Sequence, residues 1–310
     1  MLDPRLEARI KAKKSQLDAL RPLPRTALAR LRERIILEWI YNSNAIEGNT
    51  LTLQETRLVL ETGLTIGGKS LREHFEVINH QEAIEFVEAL VEKGKPVTAH
   101  TVRQIHALVL ARIDDEQAGQ YRQLPVRIGG AGLEPPESWE APRLMQELSD
   151  WLATAAQGLH PVARTAETHH RLVHIHPFID GNGRAARLVM NLLLMKDGYP
   201  PTVIRKVDRR SCYSALARAD RGDSAPFTNF IGRAVEHSLT VHLEALTPQE
   251  APPPPEDQYI TLAEAAQGTP YSQEYLSLLA RKGRLEAIKR GRNWMTTRRA
   301  VEDYLRSVGG

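Results

Sequence analysis

The densest run of reactive side chains is His176-Pro177-Phe178-Ile179-Asp180-Gly181-Asn182-Gly183-Arg184-Ala185-Ala186-Arg187. Pro177 restricts the residue before it, so His176 is expected to close one helix rather than sit inside it. Gly181 and Gly183 permit a tight loop. A helix starting near Asn182 then turns unpaired backbone N–H groups and the positive end of its dipole toward that loop, which makes a cradle for an anion. Arg184 and Arg187, three residues apart, share a helix face from which planar guanidinium groups reach successive phosphates of a nucleotide. Asp180 at the lip offers one carboxylate. A single carboxylate suits magnesium shared with phosphate oxygens better than a cation caged by protein alone. His176 is the obvious base.

These residues must be positioned by helices. Residues 188–195 continue the run as an apolar helical stretch, and Leu28, Leu31, Ile35, Trp39 and Ile84, Val87, Leu90, Val91 repeat at three- and four-residue spacing. Residues 120–142 break the pattern: Tyr121, Val126 and Ile128 partly alternate before Gly129, Gly130, Gly132, Pro135, Pro136 and Pro142, which favours a short hairpin. Pro248 and the run Pro252 to Pro255 cannot continue a helix, so residues 247–258 read as a semi-rigid linker between a core of residues 1–246 and a module of residues 259–310. In that module a short helix at 262–266, a longer one near 272–282, a strand-like 285–288, a turn at Gly291 and a last helix near 297–306 follow the order of a small winged helix-turn-helix. It carries nine basic against five acidic residues.

Bulk properties are permissive. With 310 residues, 42% of them hydrophobic, the chain can build a sizeable core, which excludes a disulfide miniprotein. A net charge of +3 does not call for nucleic acid. No apolar run approaches the ~20 residues of a membrane span. Early charges of both signs at the N-terminus do not read as a secretory leader, and the single Cys212 fits a reducing compartment; a cytoplasmic protein is expected.

The twelve residues from His176 to Arg187 resemble the complete signature of the Fic family, His-Pro-Phe-x-Asp/Glu-Gly-Asn-Gly-Arg-x-x-Arg. That resemblance implies a mostly α-helical core with a β-hairpin flap, and a magnesium-dependent adenylyltransferase (AMPylation) activity that moves AMP from ATP to a Ser, Thr or Tyr hydroxyl of a protein. By it, His176 deprotonates the target hydroxyl and Asp180 holds Mg2+. Gly181, Asn182 and Gly183 bind phosphates, Arg184 and Arg187 neutralise the β and γ phosphates, and Phe178 anchors the loop. The segment from Gly119, with Val126, Arg127 and Ile128, is similar to the family's flap, which pairs with an extended segment of the target. Ser43-Asn44-Ala45-Ile46-Glu47-Gly48 resembles the family's inhibitory pattern, so Glu47 would pair with Arg187 and displace the γ phosphate. Tyr213 falls where the family has an aromatic residue near the adenine. Asp220 stands where relatives often have Asn, and the adenine-side bonding differs accordingly.

His169, His170, His174 and His176 are clustered. His170 and His174 at i, i+4 offer half a zinc site, but no third ligand of metal-site spacing appears, so the histidines other than His176 are read as packed or surface residues. The tail resembles the excisionase and MerR-like winged-helix group. Its Arg281, Lys282 and Arg284, with Lys289, Arg290 and Arg292 on the wing, suit DNA phosphates, and such modules also dock proteins. Three alternatives stay open: transfer, including self-modification; removal of AMP from a modified target with Glu47 aligning water; and an ATP-sensing, DNA-bound regulator.

Overall fold

The computed structural model describes residues 1–21, 25–126, 134–246 and 258–308. Contacts divide the chain into Met1–Thr247 and Pro248–Gly310. The segment read as a linker lies outside the described residues except for Gln258.

In the first unit the described residues form ten α-helices: α1 (Pro4–Ala19), α2 (Arg25–Ile46), α3 (Leu53–Thr62), α4 (Leu71–Glu92), α5 (Ala99–Leu110), α6 (Ala141–Ala153), α7 (Pro161–Ile175), α8 (Asn182–Lys196), α9 (Arg209–Ala219) and α10 (Ala225–Leu246). The spine is α8. Twelve of its residues are buried, from Asn182 to Leu194, and a helix buried all round must lie between other elements. One side of it, with Leu188, Val189 and Leu192, joins the core built on α4 and α5; Met190 and Leu194 join a second core with α1, α9 and α10. The apolar spacing read from the sequence marks these faces: Leu31, Ile35, Trp39, Ile84, Val87 and Leu90 are buried and Val91 is half-buried, while the side chain of Leu28 lies outside the described residues. Ser70 and Glu73 close a capping box that fixes where α4 begins. At Gly232 on α10 a Cβ would press within 2.9 Å of Leu2 and Leu6, so glycine lets α1 pack closely there.

The expected hairpin does not appear among the described residues. Residues 121–126 and 134–137 are irregular, Val126 is half-buried, and Arg127 and Ile128 lie outside the described residues. Arg122 offers a physical reason for the irregular path. Its backbone N–H donates to the Pro177 carbonyl at 2.9 Å and its Nε to the His176 carbonyl at 2.7 Å, tying this segment to the reactive loop rather than to a neighbouring strand.

The second unit runs β1 (Ile260–Thr261), α11 (Leu262–Ala266), α12 (Gln273–Arg281), β2 (Ala287–Arg290), β3 (Asn293–Thr296) and α13 (Arg298–Val308). Its antiparallel sheet has the order β1-β3-β2, with Ile260 opposite Thr296 and Ile288 opposite Met295. Gly291, at φ 62°, supplies the left-handed turn between β2 and β3. Leu262, Leu276, Leu279, Leu285 and Val301 form its core.

Candidate functional site

His176 caps α7 in the left-handed region, at φ 49° and ψ 55°, a conformation rare for a residue with a side chain. The turn reverses the chain and leaves the imidazole at a cavity of about 370 Å³, in the ordinary range for a small-molecule site. Its Nδ1 lies 3.2 Å from the Val173 carbonyl. A carbonyl only accepts, so Nδ1 carries the proton and Nε2 keeps its lone pair. Burial pushes the His176 pKa below its ordinary 6.5, against the pull of the Val173 carbonyl. The ring is therefore a neutral base at pH 7.

The loop is held from beneath. Phe178 is fully buried and stacks on His106 of α5, with centroids 3.6 Å apart and planes 3° from parallel. His106 Nδ1 accepts the Gly119 N–H at 3.0 Å, so Nε2 carries the proton and donates to the Asp180 carbonyl at 2.8 Å. Burial lowers the His106 pKa to about 4, which keeps this bridge neutral. Asn182 locks the loop from the other side: its side chain accepts from the Phe178 N–H at 3.0 Å and donates to the Phe178 carbonyl at 2.8 Å. What Asn182 retains for an anion is its backbone N–H at the start of α8. Gly181 adopts φ 76°, and a Cβ there would come within 3.2 Å of His106 and Val109.

Asp180 stands at the rim, 46% exposed at its side chain. One oxygen accepts the Gly181 N–H at 2.6 Å; the other meets Arg184 at 3.3 Å and Arg72. Burial pushes its pKa up, but Arg184, the Gly181 N–H and Arg72 outweigh that and leave the carboxyl below its usual range. An ionised, half-exposed carboxylate beside the anion cradle fits a magnesium ion shared with phosphate oxygens.

The two arginines separate. Arg187 lines the cavity, whereas Arg184 is only 2% exposed and turns beneath the loop, with Nη1 3.2 Å from Glu76 of α4. The shared face expected from their spacing is broken because Glu76 and Asp180 compete for Arg184. Arg187 is clamped by the end of α2: Nε donates to Ser43 Oγ at 2.9 Å, and Nη2 donates to the Ser43 carbonyl and to Glu47 Oε1, each at 2.8 Å. The Glu47 carboxylate lies over the first turn of α8, where a Cβ on Gly183 would collide with it. A protein carboxylate thus sits in the anion cradle.

The far end of the cavity is formed by α9. Tyr213 and Asp220 line it, and Arg209 bridges back to the clamp: its Nε donates to the Ile46 carbonyl at 2.8 Å and its guanidinium lies 4.6 Å from the Tyr213 ring centre. Burial raises the Tyr213 pKa, so its hydroxyl keeps its proton. Of the clustered histidines, His169 is buried edge-on against Phe227, while His170 and His174 both face Asp220. The cavity therefore gathers Glu47, His176, Asp180, Gly181, Asn182, Gly183, Arg187, Tyr213 and Asp220. His106, Arg122, Arg72, Glu76 and Arg209 were not evident in the sequence. Each acts on the site from a segment remote from the signature, and no spacing links them to it.

Residues 96–194 match the family model described as the Fic/DOC family. A protein from Drosophila willistoni named protein adenylyltransferase Fic is 40% identical over 254 residues, covering 81% of this chain and 50% of that protein. The chain thus spans about half the length of the curated relatives it matches. A Fic domain containing signaling protein from Bacteroides thetaiotaomicron superposes with a TM-score of 0.73 at 32% identity, over 79% of this chain and 100% of that one. A Fic family protein from Desulfovibrio desulfuricans shares the fold over 96% of this chain, with a TM-score of 0.64 at 23% identity.

Proposed function

Since the chain belongs to the Fic/DOC family, we propose that it is a protein adenylyltransferase held in an autoinhibited state by Glu47. The observation that carries this reading is the Glu47–Arg187 ion pair laid over Gly183, with a neutral His176 at the same cavity. A nucleotide whose terminal phosphate takes that position must displace the carboxylate. Until it does, the phosphate chain cannot settle against α8.

In the proposed reaction the target hydroxyl approaches His176 Nε2, which takes its proton as the oxygen attacks the α phosphorus of ATP. The new oxygen–phosphorus bond forms as the bond to the bridging oxygen breaks, and pyrophosphate leaves. Backbone N–H groups of Asn182 and Gly183, with Arg187, hold the charge that builds on the departing phosphates. Arg184 acts from beneath, orienting Asp180. Asp180 would hold magnesium, which when bound supplies positive charge to the phosphates. Tyr213 and Asp220 would flank the base. The segment containing Val126, Arg127 and Ile128 would register an extended stretch of the target, or of the chain itself in self-modification.

For the second unit we infer a recruiting role, to DNA or to a protein. Arg281, Lys282 and Arg284 support DNA; the exposed Tyr275 and Leu278 on α12 favour an apolar partner. A mobility-shift titration with the 258–310 fragment distinguishes them. Incubating the chain with ATP and magnesium and measuring pyrophosphate release tests the proposed chemistry, and the absence of release with Glu47 replaced would discard it.

A further inference from the structure

The third ligand that the sequence did not offer to His170 and His174 comes from another helix. Asp220 caps the C-terminal end of α9, and its Oδ1 lies 3.0 Å from His170 Nε2 and 3.4 Å from His174 Nδ1. The three donor atoms all lie within 4.8 Å of one another. Ligand atoms around a tetrahedral zinc, each ~2.1 Å from the ion, stand roughly 3.4 Å apart. The two distances from Asp220 Oδ1 to the histidine nitrogens match that spacing.

We propose that His170, His174 and Asp220 form a binding site for a zinc-class transition ion, with its fourth position open to the cavity. Two imidazole nitrogens and one carboxylate oxygen suit zinc and its neighbours and are poor ligands for magnesium or calcium. The two histidines lie one turn apart on α7, whose course both cores fix, so little reorganisation is needed on that side. His170 Nδ1 has no hydrogen-bond partner among the described residues. The Asp220 carboxylate accepts the His170 Nε2–H at 3.0 Å, so an ion that takes Nε2 displaces that proton to the unpartnered Nδ1. Entry is open: the His174 side chain is 39% exposed, and both His174 and Asp220 border the cavity. Such a site is chemically distinct from the oxygen-only candidate at Asp180, and it stands whether or not the cavity transfers AMP.

The test uses the untagged full-length chain, stripped with chelator and titrated with Co2+ and then Zn2+. One equivalent of Co2+ should develop visible d–d absorption, which Zn2+ then removes, and calorimetry should give one zinc per chain. Asp220→Asn and His174→Ala should each weaken zinc binding by at least about tenfold. His237→Ala, at an exposed histidine outside the cluster, should leave it unchanged. Because His174 is partly exposed, its alanine variant is expected to fold, which its circular dichroism verifies. No absorption at stoichiometric Co2+, or zinc binding undiminished in both cluster variants, would overturn the proposal.

Discussion

If the proposed autoinhibition by Glu47 holds, replacing it by glycine should raise the rate of AMP transfer. The carboxylate is 2.8 Å from Arg187 Nη2, with the two side chains only 30% and 7% exposed, so solvent screening removes little of the interaction. A charge-assisted bond in such a setting contributes about 2–3 kcal/mol. At about 1.4 kcal/mol per decade, its loss shifts the blocked-to-open ratio by roughly 30- to 150-fold. Ser43 would still hold Arg187 through two bonds, so the arginine stays in place to receive a phosphate. The assay is the initial rate of incorporation of label from ATP labelled at the α phosphate, into the chain itself and into pooled candidate targets. Glu47→Gln, which keeps the shape but drops the charge, should fall between wild type and Glu47→Gly. Rates within about threefold of wild type for both variants, with unchanged ATP affinity, would refute the inhibitory role. A variant no faster in transfer but unable to remove AMP from a modified target would establish hydrolysis as the function.

Further outcomes follow from the same contacts. His176→Ala should cost ~10²-fold or more in transfer while ATP affinity, measured by calorimetry, changes little, because in the proposed reaction α8 and Arg187, not His176, hold the phosphates. With the His176 pKa below 6.5, the rate should be level above that pH and fall on its acid side; a limb centred above pH 7 would contradict a neutral buried base. His106 has a folded pKa of about 4 against 6.5 unfolded, so between those values the unfolded chain binds the proton that the folded one refuses. Stability should therefore decline as pH falls from 6.5 toward 4, and denaturant titrations of His106→Asn should show a shallower decline. Asp220→Asn should leave ATP the preferred nucleotide and alter its affinity by about tenfold or less in competition binding.

The signature was legible because its residues are contiguous: a proline after the histidine and two glycines before an apolar run specify a helix end, a loop and a helix start, and α7, His176 and α8 follow that order. Helical spacing likewise marked the faces of α2 and α4. The supports of the loop were not legible. His106 is 70 residues before His176 in the chain, and nothing local distinguishes a histidine that stacks on Phe178 from one that merely fills a helix face. Arg184 shows the limit of spacing arguments. Three residues from Arg187 it should share a face, yet Glu76, 108 residues earlier, draws it under the loop. The third neighbour of His170 and His174 was missed for the same reason, since Asp220 lies 46 residues after His174, at the end of another helix.

Intact mass spectrometry of the Glu47→Gly chain after incubation with ATP and magnesium bears most directly on the proposed chemistry. The expected spectrum shows the chain heavier by one or more AMP groups, with pyrophosphate released in equal amount, and no gain when His176→Ala is added to the same background. An unchanged mass together with no transfer to any protein added, or a gain that persists without His176, would contradict it.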